Sequence, residues 1–246
     1  MKYLTTTLII LTVILFYSCK REPINNCDCD NIEEDLNGEW VDANGFPVDG
    51  TCTTYHFNGN IELTIDFKQG IMDGYYKEYY SSGNILSESE YRKNKNTGKE
   101  VHYYESGEVE MKGYLVDGWM VGKWKEYYED GALFDVSEYK GGLLNGPSIS
   151  YYPNGDVEIE GYFVDGQESG EWKDYYEDGT LYDVSNYKEG EYHGLSTTYH
   201  ENGQVEMQGE YVNGLEEGKW MFYDSLGNVE GYEIYEEGEL VDDDWY

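Results

Sequence analysis

The sequence is poor in the residues from which most enzymes are built. It carries four histidines and four cysteines in 246 residues. No Gly-x-Ser-x-Gly elbow, phosphate-binding loop or His-Glu-x-x-His helix motif occurs, so nucleophilic, phosphoryl-transfer and zinc-protease chemistries have no signature. Basic side chains are scarce as well: 16 Lys and Arg stand against 51 Asp and Glu, a net charge of −35. A nucleic-acid backbone or an anionic membrane surface is repelled at that charge density, whereas basic proteins, cations and neutral sugars are not. The same charge also keeps an elongated sheet soluble. Aliphatic content is modest, because much of the 39% hydrophobic share is supplied by 28 tyrosines. A compact aliphatic core is therefore not the expected plan.

The opening residues differ from the rest of the chain. Lys2 gives a positive start, and Leu8 to Phe16 is apolar apart from Thr12. That run falls short of the ~20 apolar residues needed to span a bilayer, so residues 1–18 read as an export signal. Phe16-Tyr17-Ser18-Cys19 resembles the lipobox of bacterial lipoproteins, in which the cysteine becomes the lipidated first residue of the mature chain. The resemblance implies lipidation at Cys19, a tether over residues 19–37 and an outer-membrane lipoprotein whose only membrane contact is the acyl anchor. The residue after Cys19 is Lys20, not the aspartate of inner-membrane retention.

Three cysteines remain, Cys27, Cys29 and Cys52. An exported chain permits a disulfide, and a bridge from Cys27 or Cys29 to Cys52 would pin the N-terminal segment to the first repeat. A metal site is the weaker reading, since His56 is the only nearby histidine and structural zinc takes four N or S ligands. No cofactor is expected.

From Gly50 a 24-residue period sets in: glycine recurs at Gly50, Gly74, Gly98, Gly122, Gly146, Gly170, Gly194 and Gly218 without one insertion. Counting each of these as position zero, a second glycine falls at position nine in all eight units, mostly behind Asn, Asp or Ser. Asn-Gly and Asp-Gly between apolar-containing runs signal a hairpin. Tyrosine occupies position five of every unit and Ile, Leu or Val position eleven, residues suited to a pleated surface. Two versions of the unit alternate with a superperiod of 48 residues: one carries Trp124, Trp172 or Trp220, and the other carries Val-Glu-Met/Ile ahead of Gly113, Gly161 or Gly209. The expected fold is all-β, an elongated single-layer antiparallel sheet of tandem hairpins. Sixteen strands at about 4.8 Å give a twisted ribbon on the order of 75 Å long. Residues 38–49 read as a degenerate N-terminal cap, 50–241 as the eight units and 242–246 as an acidic tail.

The run Gly122-Lys-Trp-Lys-Glu-Tyr-Tyr-Glu-Asp-Gly131 and its counterparts resemble the MORN repeat in its divergent bacterial variant. The resemblance implies a sheet of hairpins and a scaffold for protein partners, and some bacterial relatives are described as antitoxin-like. Lipid contact in relatives relies on basic residues and is not carried over to this acidic chain.

The function expected is non-enzymatic: a lipid-anchored cell-envelope scaffold for a protein partner, with a basic partner fitting the charge. The alternatives are a glycan-binding surface lipoprotein and an immunity-type protein that neutralises a toxin. The candidate contact residues are Trp124, Trp172, Trp220, Tyr127, Tyr175 and Tyr223, since aromatics on a rigid sheet can stack on sugars or anchor side chains. The same rings could instead serve to cover the sheet. Which face they occupy depends on whether the turns hold two residues or three with a bulge. His56 and His200 fill a slot that is tyrosine elsewhere, and Glu129-Asp130 and Glu177-Asp178 read as solvated hairpin tips.

Overall fold

A computed structural model describes residues 26–246; the export signal and Cys19 lie outside them. Apart from one 3₁₀ turn at Cys29–Asn31, the regular elements of the described residues are all strands. From Gly50 onward the chain is an antiparallel meander in which each strand pairs with those before and after it. Gly50–Tyr55 pairs with Ile61–Lys68, which pairs with Ile71–Tyr79, and so on to Glu239–Trp245.

Two kinds of turn alternate, and together they decide the facing. At the Asn58-Gly59 tip the loop has three residues: the His56 N–H donates to the Asn60 carbonyl at 2.8 Å and the Gly59 N–H to that of His56 at 2.8 Å. Gly59 takes the left-handed conformation, φ 87°, that such a turn needs. Just inside the tip the register slips by one residue, between Thr54 and Tyr55, and the same slip recurs in all eight units. The opposite ends are two-residue turns with both central residues left-handed, as at Gln69-Gly70 (φ 52° and 75°) and Asp117-Gly118 (φ 52° and 83°). These are type I′ turns, whose twist matches that of the strands.

The glycine at position zero does not open a hairpin; it marks a bulge. Ile65 pairs with Tyr76 and Phe67 with Met72, so residues 73–75 lie opposite Asp66 alone. A Cβ on Gly74 would stand 2.5 Å from that of Asp66. The two-residue slip recurs at each junction between units. Strict alternation between these offsets puts positions 2, 4, 13, 15 and 17 on one face, here called inner, and positions 1, 3, 5, 14 and 16 on the outer face.

The inner face holds the aromatic packing. The ring of Trp124 lies on Gly113, that of Trp172 on Gly161 and that of Trp220 on Gly209: a Cβ added at these glycines would come within 2.2, 2.1 and 2.0 Å of ring carbons. On the other side Ser137 stands across from Trp124 and Ser185 across from Trp172, while Glu233 stands across from Trp220. The intervening units place serine against serine, Ser137 to Ser148 at 2.9 Å and Ser185 to Ser196 at 3.0 Å. The 48-residue superperiod is thus a packing rule, with a tryptophan seated on the glycine of the unit before it. Position 17 supplies flanking rings. Phe163, Trp172, Tyr187, Tyr192, Tyr211, Trp220 and Tyr235 run as one ladder with centroids 4.5–6.5 Å apart.

Both long edges are stitched from unit to unit. At the tips the side chain at position six donates to the position-five carbonyl of the next unit: Tyr80 to Tyr103, Tyr104 to Tyr127, Tyr128 to Tyr151, Tyr152 to Tyr175 and Tyr176 to Tyr199, at 2.6–2.9 Å. His56 and His200 bond the corresponding carbonyls of Tyr79 and Tyr223 at 2.8 and 2.9 Å, so they occupy the tyrosine slot and make its bond. At the opposite edge the turn glycine N–H reaches back to the preceding unit, Gly118 to Asn96 at 2.7 Å and Gly166 to Leu144 at 2.8 Å.

The ends depart from expectation. Within the stretch read as tether, Asn26–Asp28 adds a parallel strand to Gly50–Tyr55, which sets Cys27 opposite Cys52. Cys52 is disulfide-bonded and wholly buried. Cys29 packs with Ile32 and Trp40 on the cluster of Val48, Cys52 and Phe67. The disulfide at Cys52 thus lies beside an apolar cluster at the start of the hairpin array. Residues 242–246 are not a tail, because Asp242–Trp245 pair with Gly231–Ile234. Asp242 stands where the period demands glycine, and there the two-residue slip shrinks to one.

Gly161→Ala should destabilise the protein by about 1–3 kcal/mol, because the added methyl drives the Trp172 ring out of its seat. Chemical denaturation of Gly161→Ala, Trp172→Leu and the double variant checks this. The two losses should fail to add, since both disturb one contact.

Candidate functional site

The six aromatic candidates do not form one surface. Trp124 and Trp220 are 3% and 2% exposed and Trp172 is half-buried, all on the inner face. None of their indole N–H groups finds a hydrogen-bond partner among the described residues, so packing alone holds the rings. Tyr127, Tyr175 and Tyr223 lie three residues farther along each strand and face outward. Lys112 sits 4.8 Å above the Tyr127 ring, and the Tyr175 hydroxyl donates to Glu160 at 2.8 Å. Of the two roles left open for the tryptophans, covering the sheet is the one their burial matches.

The titratable side chains serve the architecture. Tip carboxylates fold back on their own backbone: Asp130 accepts the Ala132 N–H and Asp178 that of Thr180, both at 2.9 Å. The Thr180 hydroxyl and then its backbone N–H hold the Asp178 carboxyl below the usual range. The Nε2 of His102 meets Glu100 at 3.0 Å on the inner face, and that hydrogen bond raises the imidazole pKa. Among the described residues no cluster of three or more His, Cys, Asp or Glu has the geometry to hold a metal.

Sequence reading missed two features. First, carboxylates face each other across strands on the inner face, Glu126 opposite Asp135 and Asp174 opposite Asp183. Burial raises Glu126, Asp135 and Asp174, and the facing carboxylate adds to the rise for Glu126 and Asp174. The register needed to find these pairs rests on counting both bulges. Second, an apolar row runs along the type I′ turn edge. Val116 and Trp119 face each other across one turn at 53% and 62% exposure, and Leu143, Val164 and Leu215 lie farther along, each 45–52% exposed. Trp119 lies outside the repeating tryptophan position, and that irregularity is the signal that could have found it.

The raised carboxyls fix a sign. A carboxyl whose pKa is higher folded than unfolded binds its proton more readily in the folded state. Its cost to stability is therefore full above the folded pKa and fades as pH falls toward the unfolded value near 3.8. Asp174→Asn should accordingly raise the melting temperature at pH 7, with the gain shrinking on acidification toward pH 4. Thermal melts across that range check it, and a gain that grew with acid would contradict the assignment.

The MORN repeat variant model matches residues 48–69, 72–93, 120–140, 144–165, 168–189 and 192–213, most of the hairpin array. No curated protein matches the chain. Among solved structures, the crystal structure of TcdB2-TccC3 is similar at 12% identity over 80% of this chain, with a TM-score of 0.23. That of TcdB2-TccC3-Cdc42 is similar at 12% identity over 77%, with a TM-score of 0.22. The chain spans only 13% and 14% of the length of those two chains. With more than half its residues matched by the family's pattern and that pattern folded as hairpins, the chain belongs to the MORN repeat variant family.

Proposed function

We propose that this repeat protein is a non-enzymatic scaffold, lipid-anchored at Cys19 in a bacterial outer membrane, that docks a protein partner along its type I′ turn edge. The exposed row of Val116, Trp119, Leu143, Val164 and Leu215 carries the reading. The inner face hides Trp124 and Trp220 almost completely, whereas the side chains of this row keep about half their surface in solvent even where they rest on the next turn, as Trp119 does on Gly142. Exposed apolar surface rimmed by charge is the usual mark of a protein-binding face, and Val116, Trp119, Leu143 and Val164 occupy three successive turns, with Leu215 beyond the charged turn of Lys188 and Glu191. The acidic surroundings favour a partner whose contact patch is apolar with a basic rim, since charge complementarity speeds encounter and rejects wrong partners. The histidines and tip carboxylates are engaged in holding hairpins together, which supports a binding role over a catalytic one.

Two measurements test this. Intact-mass analysis of the membrane-extracted chain should show loss of residues 1–18 and added acyl mass on Cys19; a chain beginning at unmodified Met1 overturns the anchor. Partner capture by the full chain should fall about tenfold or more in Trp119→Ser/Leu143→Ser, while Tyr55→Ser, an exposed aromatic change at the far N-terminal unit, leaves it unchanged. Equal loss with both variants overturns the edge as the docking site.

A further inference from the structure

The outer face between the third and fourth units gathers positive charge that is largely unmatched by carboxylates. Lys112 and Lys125 stand directly across from each other on neighbouring strands, and Lys99 stands across from Tyr114. Lys123 lies two residues from Lys125 on the same face. These four lysines and Tyr114 line an open groove of about 340 Å³. A quarter of the chain's 16 basic residues thus converge at one place in a molecule of net charge −35. Among the described residues Glu138 alone pairs with any of them, reaching Lys123 at 3.7 Å. Like charges directly opposed across strands are destabilising, so the arrangement costs the sheet stability.

The groove exists elsewhere without that charge. One superperiod later the same positions hold Pro147, Glu160, Glu171 and Lys173, with Tyr162 in place of Tyr114, around a groove of about 250 Å³. That groove satisfies itself: Lys173 pairs with Glu171 at 2.9 Å and Glu160 accepts the Tyr175 hydroxyl at 2.8 Å. The lysines of the earlier groove are therefore not imposed by the repeat.

We propose that this groove binds a short acidic saccharide, one or two sugar rings bearing carboxylate or sulfate groups. The Tyr114 ring, 60% exposed at the rim, offers a stacking face for a sugar ring. The lysines around it supply donors and charge for the acidic substituents. The Tyr127 ring, 4.8 Å from the Lys112 ammonium, holds that side chain in position. The acidic remainder of the molecule sets the size limit, because charges beyond a Debye length of about 8 Å are screened but a long polyanion would lie against carboxylates along its length. A groove of this volume accommodates a small ligand, not a polymer. The site is separate from the apolar turn edge, and neither reading depends on the other.

The test is calorimetric titration of the full chain in detergent with a sulfated disaccharide, its unsulfated counterpart, inorganic sulfate, mixed micelles carrying anionic lipid and an Asp/Glu-rich peptide. Binding of the sulfated disaccharide is expected, weakening as salt is raised. Lys112→Gln/Lys125→Gln and Tyr114→Ala should each weaken it at least tenfold, Lys112→Arg/Lys125→Arg should retain it, and Glu160→Gln in the later groove should leave it unchanged. The altered side chains lie on the open face, and melting curves of each variant show whether the fold is kept. No binding of the sulfated disaccharide, or binding that the lysine and tyrosine variants leave intact, overturns the proposal. So does tighter binding of the anionic-lipid micelles or the peptide that Lys112→Gln/Lys125→Gln abolishes, and so does inorganic sulfate binding as well as the disaccharide.

Discussion

A sheet with no second layer against it must cover its own backbone, and here a tryptophan ring laid on a glycine does so. The contact needs both partners at once. Indole surface is large enough to shield two strands, and only a residue without a Cβ lets the ring approach within van der Waals reach of the main chain. Trp124, Trp172 and Trp220 are each seated this way, and Trp245 repeats the contact on Gly231 in the final strand. The rings at position 17 brace the tryptophans edge-on, and the serine pairs fill the narrower gaps between them. Everything else in the array adjusts to this seat: the two bulges bring each ring and each glycine to the same face.

Such a plan leaves long exposed edges, and each is handled differently. The tips exchange side-chain bonds because the backbone ladder between neighbouring hairpins gives out before it reaches them, and a phenol or imidazole spans the gap to the next carbonyl. The opposite edge closes with backbone bonds between consecutive turns. The outermost strand, Glu239–Trp245, is exposed throughout and carries Glu239 and Asp242 to Asp244, charge that discourages pairing with another chain. The first strand, Asn26–Asp28, pairs in parallel with Gly50–Tyr55 next to the disulfide-bonded Cys52.

The period, the hairpin tips at Asn-Gly and Asp-Gly, and the alternation of two unit types were all legible in the residues, because each is a local signal repeated along the array. The role of Val-Glu-Met/Ile-Gly was visible as a pattern without its reason: glycine at Gly113, Gly161 and Gly209 is the seat of the next unit's tryptophan. Facing was not legible, since it turns on one slip of one residue and one of two, neither of which has a local sequence mark other than the glycine at position zero. Trp and Tyr candidates three residues apart were therefore grouped together although they point to opposite faces. The lysine groove was hidden for a related reason. Lys99, Lys112, Lys123 and Lys125 come from three strands and look unremarkable in a chain read for its negative charge.

The seating of each ring on the preceding unit also governs how such an array can change size. A duplicated tryptophan-bearing unit would set an indole against serine, where a Cβ already stands, and a duplicated glycine-bearing unit would leave a hole beneath a serine. Either error propagates nothing along the chain, but it puts a fault at the new junction. Only the addition or loss of a matched couple of units preserves every contact. Each matched couple added to the array would bring one more tryptophan together with the glycine that seats it.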